Sequence, residues 1–544
     1  LQGRFSYTRQ FDRRDLFKSP ESLDYSTETD PKKKGSYYLV NSRSDRFDGN
    51  LTLAYNKTID KHMLNVGVGS NIMQSETEGE SFTGVGFINP DMIFIGAANA
   101  FQENTSPQGT YDKSRLVGFF TNVNYGYGNR YFLDFSFRSD GSSKFGRNSR
   151  FAPFWSLGVA WNVHNESFWH AHEKNALKLR ASVGSTGTTN FSSTQALTTY
   201  LYDFSREYNG NFGVSLAGYG NSSLKWQTTL SYNVGVDFTF LHGLVVFNGD
   251  FYIKNTRSLL LPVTVAPSTG FIDYVENIGK LRNTGVEARL RFNLIQDAVK
   301  DLRWNVTLSA FHNRSKIIQL SNQLETINQY ANDDRANQGT VVYRQFEAGR
   351  SQTALMVVRS GGIDPATGNE IYIKRNGEMT FEYNHNDKIE CGDMKPKIEG
   401  NVNTNLNWKG FNLYMLFKYQ YGGKIYNATL ASKVEGVNPL KNADKRVLYD
   451  RWKEPGDHAK FRRIDDTSAP YQTTRLVFDN NLLALQSVSL SYELPRKISQ
   501  KMYMERVKLL LSSTDLFRLS SVKQERGTSY PFARTFSIGL NVTF

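Results

Sequence analysis

Apolar residues that recur at every second position lie along one face of a strand and cannot form the buried stripe of a helix. The last twelve residues, 533–544, show the pattern without a break. Phe536, Ile538, Leu540, Val542 and Phe544 point one way, and Ser537, Gly539, Asn541 and Thr543 the other. It recurs along the chain. Tyr232, Val234, Val236, Phe238 and Phe240 alternate with Ser231, Asn233, Gly235, Asp237 and Thr239; Leu302, Trp304, Val306 and Leu308 alternate with Arg303, Asn305, Thr307 and Ser309. Val402, Leu406 and Trp408 stand against Asn401, Asn403, Asn405 and Asn407, and Val488, Leu490, Tyr492 and Leu494 against Ser487, Ser489, Ser491 and Glu493. A soluble β-protein of this size needs some strands buried on both faces, and these read as continuous apolar runs. Here the second face stays polar in strand after strand. The pattern therefore predicts an all-β, antiparallel transmembrane barrel, with hydrocarbon on one face and water on the other.

Composition agrees with a membrane that is crossed by strands. Across 544 residues the hydrophobic fraction is 39% and the mean hydropathy is −0.50. No run approaches the roughly 20 apolar residues that a spanning helix requires, whereas a spanning strand needs only about 9–11 residues, half of them facing lipid. Aromatic residues make up 13%, which suits girdles at the two membrane interfaces. The single cysteine, Cys391, excludes an internal disulfide framework. The formal charge of +13 is spread along the chain without a nucleic-acid-binding module, so nucleic acid is not an expected partner. The run Lys32-Lys33-Lys34, beside Glu28 and Asp30, reads as a solvated loop.

Spacing gives the topology. Short connections fall at Ile59-Asp60-Lys61, Tyr127-Gly128-Asn129, Leu241-His242-Gly243, Gln296 to Asp301, Lys409-Gly410 and Pro495 to Glu505, with a longer turn from His164 to Asn175. Between them lie long connections at about 12–44, 73–112, 187–223, 255–282, 315–396 and 424–481, with shorter ones near 140–148 and 520–532. Strict alternation of short and long links describes an up-and-down barrel with a periplasmic and an extracellular rim. The tally is about 16 strands, the last running down to the periplasm. Leu1 follows no initiator methionine or signal segment, and the opening residues already read as a strand, so the expectation is a piece of a longer protein.

Motifs for chemistry are sparse. His164, His170 and His172 lie close in sequence, but no further ligand completes a tetrahedral set, and a solvated turn is the expected role. Asp364, Asp387 and Asp393 lack calcium-loop spacing and read as turn formers. Asp465-Asp466 is a carboxylate pair with no evident base beside it. No nucleophile elbow, phosphate loop or metalloprotease helix is present, so neither an enzyme nor a cofactor is expected. The aromatic residues of the long connections are candidate substrate contacts. Tyr200, Tyr202, Phe204 and Tyr208 lie in one, Tyr330, Tyr343 and Phe346 in another; such rings stack on sugars or peptide side chains and equally pack a folded loop.

Several segments resemble the C-terminal region of SusC/RagA-type TonB-linked outer-membrane transporters. They are Arg534 to Phe544; Lys409-Gly410-Phe411-Asn412-Leu413 with Tyr421-Gly422-Gly423-Lys424-Ile425-Tyr426-Asn427; Arg138 to Gly146 with Phe154 to Trp161; Leu177 to Gly184 with Thr186-Gly187; Gly362 to Gly368; and Asn283 to Glu287. The resemblance implies a 22-stranded barrel in the outer membrane of a Gram-negative bacterium, plugged by an N-terminal domain. It implies import of a glycan or peptide powered through TonB, with a SusD-like surface lipoprotein as lid. The TonB box, plug and roughly six first strands are then expected from a second chain or segment. It also implies that the ending Phe536, Ile538, Leu540, Val542 and Phe544 is read by the barrel-assembly machinery; a plain interface anchor is the other reading. The competing functions are a passive porin or adhesin and a soluble carbohydrate-binding β-protein.

Overall fold

The computed structural model describes the chain except for residues 104, 106, 171–173, 190–192, 265–272, 278, 321–327, 329–344, 438–442, 467 and 523–533. It also leaves out the side chains of residues 147, 201–208, 212, 217, 260–264, 273 and 274. The main sheet has seventeen strands, one of which, Ala100–Phe101, is two residues long. The other sixteen form the wall. They are β1 Gln2–Lys18, β2 Ser36–Ile59, β3 His62–Val85, β4 Gln108–Tyr127, β5 Tyr131–Ser142, β6 Phe151–Asn162, β7 Ala176–Thr188 and β8 Gln227–Phe240. They continue as β9 Val245–Arg257, β10 Lys280–Asp297, β11 Leu302–Gln319, β12 Ile398–Trp408, β13 Phe411–Tyr426, β14 Val477–Glu493, β15 Arg506–Ser520 and β16 Thr535–Thr543. Each pairs antiparallel with the next in sequence, so the wall is a pure meander. Among the described residues no helix is long and apolar enough to cross a membrane.

Register carries the alternation around the wall, because residues directly opposite on paired strands face the same side. One row reads Tyr55, Val66, Val123, Phe135, Leu157, Val183, Tyr232, Ile253 across β2 to β9. The row beside it, on the other face, reads Ala54, Gly67, Asn122, Ser136, Ser156, Gly184, Ser231, Lys254. The apolar rows are exposed: Val234 by 60%, Leu511 by 49% and Ile538 by 86%. Among the described residues nothing covers them, as a soluble sheet would require. The short links are tight. Lys409 and Gly410 both take positive φ, at 44° and 88°, as a two-residue primed turn between β12 and β13 demands.

Several strands run further than the loss of alternation at their ends implies. β1 continues to Lys18 and β2 begins at Ser36, so the first long connection is 19–35 rather than 12–44; β3 and β4 shorten the second to 86–107. The reason is physical. Beyond the apolar band the face that was apolar turns charged, as with Arg43, Asp45, Glu76 and Glu78, so the ladder continues where the hydrophobic period has stopped.

Candidate functional site: the lumen face and its crown

The polar face of the wall is a hydrogen-bonded surface. On β7 the Arg180 guanidinium grips Asp237 of β8 with two bonds, Nε to Oδ2 at 2.8 Å and Nη2 to Oδ1 at 3.1 Å, and reaches Asp250 of β9 at 3.1 Å. Asn248 adds an amide donor to Asp237 at 2.8 Å. Gly235 makes room for this group: a Cβ there would lie 2.5 Å from Asp250 Oδ1 and 2.7 Å from Arg180 Nη2. Further round, Asn412 donates to Asn405 at 2.8 Å and to Asn407 at 2.6 Å, and Asn407 donates to Asn405 at 3.0 Å. Arg138 is held by Asp140 and Asn71. These are groups of a water-facing lumen, displaying polar side chains that are already oriented by their neighbours.

Two long connections fold together at the rim opposite the tight turns. Residues 345–396 build a small sheet from Ala354–Ile363, Glu370–Ile373, Met379–Thr380 and Lys388–Asp393. The described residues of 427–476 pack against it, with Thr473 bridging Val358. Leu355, Tyr426, Ala431 and Leu476 form one apolar core, and Val434, Val447 and Phe461 another. Rings close the sheet from one side: Tyr383 stacks on Tyr471 at 4.1 Å and Tyr372 meets both edge-on.

At the centre of this crown lies a buried ionic network. Glu435, 1% exposed, accepts Arg462 Nε at 2.8 Å and both terminal nitrogens of Arg475 at 3.0 and 2.9 Å. Arg475 also reaches Glu370 at 2.9 Å, and Arg462 reaches Asp466 at 2.6 Å. Glu370 in turn accepts the Thr473 hydroxyl at 2.7 Å. Arg451 ties the same segments through the carbonyls of Val434, Glu435 and Arg462. Burial works against a charged Arg475, yet Glu370 and Glu435 keep its pKa above the ordinary value, whereas burial lowers that of Arg451. Lys388, 2% exposed, is pushed down to about 8 by loss of water. The arrangement fixes two chain segments to one another.

The residues singled out in the sequence fall as follows. Phe536, Ile538, Leu540 and Phe544 project from the apolar face of β16 with Val542 half-buried; Ile538 lies opposite Leu511 and Leu540 opposite Leu509. Tyr200 is 64% exposed in the hairpin Thr199–Tyr208 with Asn211–Gly218. The side chains of Tyr202, Phe204 and Tyr208, and all of Tyr330 and Tyr343, lie outside the described residues. Phe346 is half-buried, its backbone clasped by the Asn328 amide at 2.7 and 2.6 Å. His164 bonds the Leu177 carbonyl at 2.9 Å, His170 is exposed, and His172 lies outside the described residues. Among the described residues no group of three possible ligands approaches metal-binding geometry. Asp364 accepts from Ala366 and Thr367 in a turn, and Asp393 from Lys395. Asp465 and Asp466 are not a free pair: Arg463 and Arg462 hold them. The ionic network itself was not visible in the sequence, since Glu435 stands 27 residues from Arg462 and 40 from Arg475.

A one-layer meander with an apolar outer face, a polar inner face and a folded crown on one rim is the wall of an outer-membrane transporter barrel. Residues 1–351 match the model of the "TonB dependent receptor-like, beta-barrel" family, and the chain belongs to that family. It is 26% identical over 536 residues to TonB-dependent receptor P3 of Formosa agariphila, covering 90% of this chain and 52% of that protein. It is 27% identical over 333 residues to TonB-dependent receptor SusC of Bacteroides thetaiotaomicron, covering 59% of this chain and 32% of SusC. The fold superposes on a structure of the RagAB peptide transporter with a TM-score of 0.84 at 21% identity, covering 100% of this chain and 60% of that one. The chain thus has the SusC/RagA type of barrel and is placed in the outer membrane. It spans about half the length of the curated relatives it matches.

Proposed function

We propose that this chain is the wall and crown of a TonB-dependent importer that takes up a nutrient, a glycan or peptide. The lumen would be filled by a plug carried on a part of the protein outside this chain, which also supplies the TonB contact and the remaining strands. The observation behind this reading is the pairing of a polar, pre-oriented lumen face with a folded, ion-paired crown on the same wall. A passive pore has no need of a buried ionic clamp in its loops. A captured solute does need a fixed platform, because each rotamer ordered on binding weakens it. On this reading a SusD-like surface lipoprotein closes over the crown. The proposed solute contacts are the aromatic residues of the long connections: exposed Tyr200 and half-buried Phe346, together with Tyr202, Phe204, Tyr208, Tyr330 and Tyr343. Phe536, Ile538, Leu540, Val542 and Phe544 are the proposed assembly signal.

The test is uptake. Cells carrying the complete protein should accumulate labelled oligosaccharide or oligopeptide and lose that uptake when a protonophore removes the energy source. The complex purified from their outer membranes should contain a surface lipoprotein. Uptake that survives the protonophore would assign a passive pore instead.

A further inference from the structure

The lumen face of β10 to β15 ends, at the tight-turn rim, in a surplus of positive charge. Two adjoining cavities of about 560 and 770 Å³ share Arg303 and Asn407. Six cationic side chains line them, Arg291, Arg303, Lys409, Arg496, Arg506 and Lys508, against the carboxylates Asp301 and Glu493. Glu493 is already committed to Arg506 at 2.5 Å, and Asp297 nearby to Lys300 at 3.3 Å. Lys409 lies over the Trp408 ring. Arg291, Arg303 and Lys508 have no ion-pair partner among the described residues.

Register explains why these cations face inward together. Arg303 is opposite Asn407, Asn407 opposite Asn412, and Asn412 opposite Ser491, all on the polar face; Lys508 is opposite Glu493, and Arg291 opposite Thr307. The asparagines bond one another, so this stretch of wall is a flat amide surface edged by fixed guanidinium and ammonium groups. Beside a low-dielectric wall, like charges in one arc repel more strongly than in bulk water, and a facing anion is worth correspondingly more.

We propose that this arc docks an acidic segment of the part of the protein outside this chain, holding the lumen closed. The inference rests on the lumen-filling reading given above and adds where, and by what charge, the filling part is gripped. A passing solute fits less well. A permeant species must leave as readily as it enters, and several fixed cations at the exit would retain a polyanion.

Conductance of the complete protein in planar bilayers tests the proposal. The wild type should be nearly silent. The double reversal R291E/R303E should raise passive conductance events about tenfold or more, and R291Q/R303Q should raise them less. Raising salt from ~0.1 to ~1 M should loosen the wild type in the same direction. K300E, on the neighbouring turn, should stay silent. Heat-modifiable migration confirms that each variant is folded; if the reversal does not fold, the neutral pair carries the test. A folded reversal as silent as the wild type, at both salts, overturns the docking. So does a silent channel that has lost uptake of an oligoglutamate probe, which would give the arc to solutes. A wild type that conducts freely would instead overturn the lumen-filling reading itself.

Discussion

Removing the Glu435 carboxylate should loosen the crown while leaving the barrel intact. In Glu435→Ala, Arg462 loses its Nε partner at 2.8 Å and Arg475 loses two bonds at 3.0 and 2.9 Å. Breaking a buried ion pair by deleting one partner costs about 3–5 kcal/mol, because the remaining charge stays desolvated. Here the lower end applies. Arg475 keeps Glu370 at 2.9 Å and Arg462 keeps Asp466 at 2.6 Å, and Asp466 is partly open to water. About 3 kcal/mol corresponds to roughly a hundredfold increase in local opening. Hydrogen exchange should therefore quicken by about that factor in residues 354–363 and 430–435, with β8 and β9 unchanged. The compensated variant E435M/R462M removes one charge of each sign and leaves Arg475 paired with Glu370, so it should recover most of the protection. Exchange in the crown that is unaltered by Glu435→Ala would refute the clamp. So would a double variant as damaged as the single, which would put the cost in shape rather than charge.

Other consequences follow from the faces and from burial. Val236→Arg or Leu308→Arg, on the lipid side, should cost about 2–4 kcal/mol near the midplane, read from urea refolding into vesicles, while Asn403→Arg in the lumen should be almost neutral. Gly235→Val would drive methyl groups into Arg180 and Asp250 and should lower stability by about 1–3 kcal/mol in the same assay. Lys388 has its pKa lowered by burial, so the folded state binds its proton less tightly than the unfolded chain. The crown should gain stability as pH rises from about 8 to the ordinary lysine value of 10.5, with no gain below that window. Lys388→Met should abolish this slope in exchange measured across the window. Deleting Phe544 should lower the heat-modifiable fraction in membranes if the terminus is an assembly signal, and leave it unchanged if the ring only anchors the interface.

The wall was legible because two solvents write the sequence. Wherever a strand crosses hydrocarbon, one face is forced apolar and the other remains polar, so the period of two survives in Tyr232 to Phe240 and in Phe536 to Phe544 without knowledge of any partner strand. Where water returns on both sides the constraint disappears, and the ladder of β2 and β3 runs on through Arg43, Asp45 and Glu76 with no hydrophobic mark.

The crown was illegible for a related reason. Its core is small and satisfied by few residues, among them Leu355, Ala431, Val434 and Leu476, drawn from connections separated by a pair of strands. Its buried carboxylates, Glu435 and Glu370, find their partners 27 to 105 positions away, distances at which no spacing rule operates. This division has a consequence for function. The wall answers to the membrane and repeats one rule in every strand, so a substitution there changes stability before it changes selectivity. On the proposed function, the crown and lumen answer to water, a solute and the rest of the protein, and only there can two barrels with the same wall come to recognise different cargo.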